Sequence, residues 1–182
     1  MTDRIELLVL DVDGVLTDGC ITYDSDGREL KTFNSRDGFG VKLWNRTGHR
    51  TAIITGRGGE AVRRRAQDLG IEHVIERRED KGTALEELLS TLQVPLAQVA
   101  YVGDDWPDLS AMRLAGMPIA VHDAVASVRL AASAVTTAPG GHGAVREAVE
   151  MLLRHNGEWQ AAMDLFGARE ERERVASRQD DR

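Results

Sequence analysis

The chain has 182 residues, 42% hydrophobic and 29% charged, a balance that fits one soluble globular domain and argues against a disordered chain or two full domains. No apolar run approaches the roughly 18 residues that a membrane span needs. Cys20 is the only cysteine, so no intrachain disulfide can form. The net charge of −7 repels nucleic acid and anionic small molecules alike, so an anionic ligand requires local cations or a metal.

The opening "MTDRIELLVL" has neither the basic region nor the apolar stretch of a secretory signal, which makes the cytoplasm the expected location. In chain order, apolar runs at "IELLVL", "RTAIIT", "EHVIE", "VAYVG", "MPIAV" and "SAVTT" read as strands separated by helical stretches. Runs apolar throughout, alternating with helices, indicate a parallel sheet covered on both faces, an α/β Rossmann-like fold. Between the first two strands, "CITYDSDGRELKTFN" places two β-prone runs around Asp26-Gly27, the signature of a hairpin over about residues 20–34. "DGFGVKLWNRTG" then reads as a helix ended by Gly48. Further helices are expected at Gly59–Leu69, Gly82–Leu92, Asp108–Ala115 and Ala144–His155. One domain over residues 1–166 is expected, followed by a charged tail at 167–182 that reads as a solvated or frayed end.

Ligands of open α/β sheets bind beyond the carboxyl ends of the strands. Those ends carry Asp11 and Asp13 after the first strand, Thr55-Gly56-Arg57 after the second, and Asp104-Asp105 after "VAYVG", with Lys81 opening the helix between the last two. A single strand-end aspartate is often only a helix cap. Acid, hydroxyl with glycine, and paired acid at three ends together point to a site. Carboxylates crowded into one crevice repel unless a hard cation lies among them, and Mg²⁺ prefers a few carboxylates, water and a phosphate. An aspartate can accept a phosphoryl group, and an acid two residues on can protonate the leaving oxygen and then activate water. Thr55, the Gly56 amide and Lys81 suit the phosphoryl oxygens. An EF-hand reading of "DVDGVLTDG" fails because the glycine does not fall at the sixth loop position.

"DVDGVLTDG", "ITGR", Lys81 and "GDDWPD" resemble, in order, the four motifs of the haloacid dehalogenase superfamily of phosphotransferases. The resemblance implies Asp11 as nucleophile, Asp13 as acid/base, Thr55 as phosphate ligand, Lys81 as charge neutraliser, and Asp104 as a magnesium ligand beside Asp11 and the backbone carbonyl of Asp13. Asp105 and Asp108 are then expected behind these, holding metal-bound water or Lys81.

The gaps of 44 residues from Asp11 to Thr55 and 26 from Thr55 to Lys81 leave no room for an inserted cap domain. An uncapped site is open to water, so it takes a macromolecule or is closed by another subunit. With 4% aromatic residues and a negative charge, a nucleic-acid substrate is the weaker branch.

"GRELKTFNSRDGFGVK" and "GGHGAVREAVEMLLRHNG" further resemble the capless, tetrameric phosphatases of 3-deoxy-D-manno-octulosonate 8-phosphate, whose group includes phosphatases of nonulosonate 9-phosphates. This implies a homotetramer in which the hairpin roofs a neighbour's site. It also implies that Asn34, Arg36, Asp37, Gly38 and Lys42 touch the sugar acid from the adjoining subunit, and that Arg57 and Arg65 offer it cations. The implied activity is Mg²⁺-dependent release of phosphate from a 2-keto-3-deoxy sugar acid phosphate on the way to the lipopolysaccharide inner core. Lys42 stands where relatives often have Arg, Trp106-Pro107 inside the fourth motif is expected to reshape that loop, and Arg57 favours the octulosonate over the nonulosonate. The rivals are a non-catalytic oligomerisation module and a phosphatase of nucleic-acid ends or proteins.

Arg63-Arg64-Arg65 are consecutive on a helix and point about 100° apart, so they cannot share one ligand. The five histidines show no metal-ligand spacing, and His142 lies in a glycine-rich segment. Trp44, Trp159 and Phe39 read as packing or interface residues.

Overall fold

A computed structural model describes residues 3–166. The charged tail at 167–182 lies outside the described residues. Strands β1 (Leu7–Leu10), β4 (Arg50–Ile54), β5 (His73–Ile75), β6 (Val99–Gly103), β7 (Met117–Ala120) and β8 (Ala134–Val135) form one parallel sheet in the order β5-β4-β1-β6-β7-β8. β1 is buried along its whole length. That is why its sequence is apolar without alternation.

The hairpin pairs only β2 (Thr22–Tyr23) with β3 (Glu29–Leu30), much less than its β-prone flanks suggest. Helices α1 (Ser35–Arg46), α2 (Glu60–Leu69), α3 (Lys81–Leu92), α4 (Leu109–Leu114) and α6 (Ala144–His155) match the helical stretches of the sequence. Two short helices carry no strong sequence signal: α5 (Ala126–Ala131) and α7 (Trp159–Asp164). Right-handed crossovers put α1 and α2 on one face of the sheet and α3 to α5 on the other. α6 returns to pack on α1.

α6 buries Ala144, Val145, Ala148, Val149, Leu152 and Leu153, a stripe at helical spacing. Burying its four larger side chains contributes about 1.5–3 kcal/mol each before entropic costs. The two helices come close because Gly40 has no side chain; a Cβ there would lie 2.9 Å from the Arg146 Cα. Trp44 is fully buried, donates its indole N–H to the Arg50 carbonyl at 2.9 Å and stacks on His49, as a packing residue should. Among the described residues no helix is long and apolar enough to cross a membrane.

The strand order sets up the site. Leu10 pairs with Ile53 of β4 on one side and Val102 of β6 on the other. The chain therefore leaves the sheet at Asp11, Thr55 and Asp104 side by side.

Candidate active site

At those three strand ends lies a cleft of about 290 Å³, lined by Asp11, Asp13, Gly19, Thr55, Gly56, Arg57, Lys81, Asp104, Asp105, Pro107 and Asp108. Asp11 is buried, and its carboxylate lies 2.7 Å from the Lys81 ammonium. Lys81 is the first residue of α3, a helix whose N-terminus Asp80 caps by accepting the Thr83 amide at 3.2 Å. The same ammonium donates to Asp108 at 2.7 Å. Burial alone would lower the Lys81 pKa, but Asp11 and Asp108 outweigh it and hold the ammonium above its ordinary range.

Asp108 is 1% exposed and fully engaged. One oxygen accepts from Lys81 and from the Tyr101 hydroxyl at 2.9 Å; the other accepts the amides of Asp104 at 3.0 Å and Asp105 at 3.3 Å. Four donors take up the roughly four acceptor positions of a carboxylate. Burial, then the charge of Asp108, pushes the Tyr101 pKa well up and keeps it a donor. Trp106–Asp108 form one 3₁₀ turn, with the Asp105 side chain accepting the Trp106 amide at 2.7 Å and the Trp106 indole donating to Ser127 at 2.8 Å. The Trp-Pro dipeptide thus closes the fourth motif into a tight turn and leaves its aspartates on the cleft.

Ligand oxygens of Asp11, Asp104 and Asp108 lie within 4.8 Å of one another. Asp104 is pushed up to about 8 and Asp11 to about 7, by burial first and then by repulsion among the three carboxylates. Three carboxylates facing one ammonium leave an excess of two negative charges, which one divalent cation neutralises. The all-oxygen donor set suits a hard ion such as Mg²⁺. Because Asp108 has its acceptor positions filled, Asp11 and Asp104 are the side chains free to hold the ion.

Asp104 also presses on the loop after β1. Gly14 has φ +94°, and a Cβ there would lie 2.1 Å from the Asp104 carboxylate, so both backbone and space require glycine. Thr55 is buried, with its hydroxyl accepting the Arg57 amide at 3.2 Å. Asp13 is paired with the Lys31 ammonium.

The residues expected at the sugar acid fall elsewhere. Asn34 caps α1, accepting the Arg36 amide at 2.8 Å, while Arg36 and Lys42 are exposed. Asp37 is buried and caps α6. Gly38 packs on Arg65, which donates to the Asn34 carbonyl at 2.9 Å. None of these six lines the cleft of its own chain; Arg57 alone of the expected sugar-acid cations does. His142 is exposed, with Nδ1 2.8 Å from the Gly140 carbonyl.

Sequence reasoning missed Tyr101, Glu29 and Lys31. Tyr101 left a signal, since a hydroxyl inside an apolar strand needs a partner. Glu29 and Lys31 left none, because charged residues on a short hairpin ordinarily face solvent.

Fold and cleft define a haloacid dehalogenase-like hydrolase, and the model of that family matches residues 73–147. The 3-deoxy-D-manno-octulosonate 8-phosphate phosphatase of Yersinia pestis is 43% identical over 89% of this chain and 87% of its own; that of Escherichia coli K12 is 42% identical over 88% and 85%. A crystal structure of the Moraxella catarrhalis phosphatase with magnesium, phosphate and KDO superposes with a TM-score of 0.87 at 44% identity, covering 89% of this chain and 93% of that one. A probable YrbI-family phosphatase of Pseudomonas syringae is 48% identical, with a TM-score of 0.87 over 90% and 93% of the two chains. The chain belongs to the family of 3-deoxy-D-manno-octulosonate 8-phosphate phosphatases.

Proposed function

We propose that this protein hydrolyses 3-deoxy-D-manno-octulosonate 8-phosphate to the free sugar acid and phosphate, through an aspartyl phosphate on Asp11. The observation that carries the reading is the convergence of Asp11, Asp13, Thr55, Lys81 and Asp104 on one cleft with Arg57 beside them. Asp11 attacks phosphorus while the bond from phosphorus to the sugar oxygen breaks, and Asp13 gives that oxygen its proton. Asp13 then takes a proton from the water that attacks phosphorus, and the bond to Asp11 breaks to release phosphate. The Thr55 hydroxyl, the Gly56 amide and the Lys81 ammonium bind the equatorial oxygens, and Asp108 and Tyr101 fix Lys81 in place. Asp11, Asp104 and the Asp13 backbone carbonyl would hold Mg²⁺, which would supply positive charge against the carboxylates and the phosphoryl oxygens. Asp105, on the cleft beside Asp104, would support the ligands of that ion.

In this reading residues 1–166 form a single catalytic domain, and four copies assemble in the cytoplasm with each hairpin roofing a neighbour's cleft. The exposed Ile21, Tyr23 and Leu30 on the hairpin support an interface there. Asn34, Arg36, Lys42 and Arg65 then serve the neighbouring cleft, while Asp37 and Gly38, buried in their own chain, hold the start of α1 in place behind them. Arg57 favours the octulosonate over a nonulosonate 9-phosphate.

Phosphate release from a panel of sugar phosphates containing both compounds, with Mg²⁺ and with chelator, tests the reading. Metal-dependent preference for the octulosonate supports it. Preference for another member keeps the chemistry and removes the substrate, and inactivity on all members overturns both.

A further inference from the structure

Two of the groups that the proposed reaction needs are already paired to the hairpin. The Lys31 side chain, 3% exposed, lies between Asp13 and the Glu29 carboxylate, 2.6 Å from the latter. The other Glu29 oxygen accepts from Arg57 at 3.1 Å. Asp13, Lys31, Glu29 and Arg57 therefore form one chain of alternating charge that runs from the candidate acid/base to the arginine of the cleft. Lys31 first, and Arg57 after it, hold Glu29 below the usual carboxylate range. A two-rung hairpin gains little from its own ladder. The position of β3 beside Asp13 and Arg57 is thus set largely by these four side chains.

The arrangement resolves into two tasks. One Asp13 oxygen is fastened by an ammonium, which fixes the carboxyl rotamer and leaves the other oxygen as the one that can carry the transferred proton. Arg57 meets a carboxylate of its own chain, in the type of pairing it would offer an anionic sugar. A ligand must supply an anion to take Arg57 from Glu29, so a neutral alcohol phosphate gains less there than a sugar acid phosphate does. Because one carboxylate is exchanged for another, the sugar acid gains less from Arg57 than it would with Glu29 absent.

We infer that Lys31 is a positioning residue for Asp13 and that Glu29 is an internal carboxylate that competes with the substrate's own for Arg57 and so weakens the binding of a sugar acid phosphate. The inference rests on the phosphatase reading above and adds to it the reason the hairpin carries this charge pair.

The test compares Glu29→Gln, Lys31→Met and Lys31→Arg on the octulosonate phosphate and on p-nitrophenyl phosphate, with Mg²⁺ present. Glu29→Gln removes the competing charge, so the KM ratio of sugar acid phosphate to p-nitrophenyl phosphate should fall about threefold or more. An unchanged or higher ratio overturns the role of Glu29. Lys31→Met should lower kcat about tenfold or more on the alkyl phosphate, with a smaller loss on p-nitrophenyl phosphate, whose leaving group needs little protonation. Lys31→Arg, which keeps a cation, should recover part of that loss. Equal losses on both substrates, or an arginine variant no better than the methionine one, overturn the positioning role and leave Lys31 a structural residue. Wild-type protein that cleaves p-nitrophenyl phosphate but not the octulosonate identifies the substrate reading as the failure. The Lys31 comparison is then read on an alkyl phosphate that the enzyme does take, and the Glu29 comparison on a carboxylated one.

Discussion

Asp37 in α1 caps α6 across 109 positions of sequence: one of its oxygens accepts the Arg146 amide at 2.9 Å, and the other accepts the Gly143 amide at 3.1 Å. Gly143, at the N-cap of α6, has no side chain for the purpose. Burial raises the Asp37 pKa, and the amides of α6 oppose that shift. Replacing Asp37 with Ala leaves two partly buried amides without partners, and the expected loss of stability is about 1–3 kcal/mol. Denaturant titration should show a lower midpoint with an unchanged slope. A midpoint equal to wild type would show that the cap contributes nothing.

Asp11→Asn removes the attacking oxygen and a buried charge together. Turnover should fall roughly a thousandfold or more, as it does when a nucleophile is lost. The fold should persist, because Asn fills the same volume and relieves the repulsion from Asp108. Retained phosphate release alongside an unchanged melting temperature would remove Asp11 from the nucleophile's role.

The carboxylate cluster makes stability depend on pH when metal is stripped. Asp11 and Asp104 stand at about 7 and about 8, raised by burial and then by the charge of Asp108, against about 3.9 in an unfolded chain. Between those values the folded state binds more protons than the unfolded one, so stability falls as pH rises. Chelated protein should therefore melt several degrees lower at about pH 8.5 than at about pH 5.5. Excess Mg²⁺ should narrow the gap, since it binds the carboxylates of the folded state. Equal melting temperatures in chelator at the two pH values would contradict the charge excess assigned to the cleft.

Tyr23 and Leu30 face solvent on paired strands of the hairpin. A charge buried at an apolar subunit contact is costly. In the assembly proposed above, Leu30→Asp should thus give smaller species than wild type in light scattering and raise KM about tenfold by unroofing the site. A Leu30→Asp protein of wild-type size in solution would place the interface elsewhere.

Much of the site is legible in the sequence. Asp11, Thr55 and Asp104 follow apolar runs directly, and a parallel sheet of such runs has to present its strand ends on one edge. Lys81 was legible from its place at a helix start. The division of labour among the aspartates was not. Asp104 and Asp108 are four residues apart and chemically alike, yet one presses on Gly14 at the cleft while the other satisfies four donors beneath it. That difference comes from the turn at Trp106–Asp108 folding back onto the start of α3, where Asp108 meets Lys81. The short helices α5 and α7 were missed for a related reason, since six residues are too few to show a period.

The sequence by itself determined the α/β class, the hairpin, the order of the sheet-end residues and the chemistry they suit, because apolar runs, turn residues and acid spacing are local quantities. Only the tertiary structure decided that Asp37 caps a helix far along the chain, that Asp108 supports Lys81, and that Lys31 and Glu29 turn inward to Asp13 and Arg57. Each of these joins charges on separate segments, and their burial together depends on which strands lie side by side.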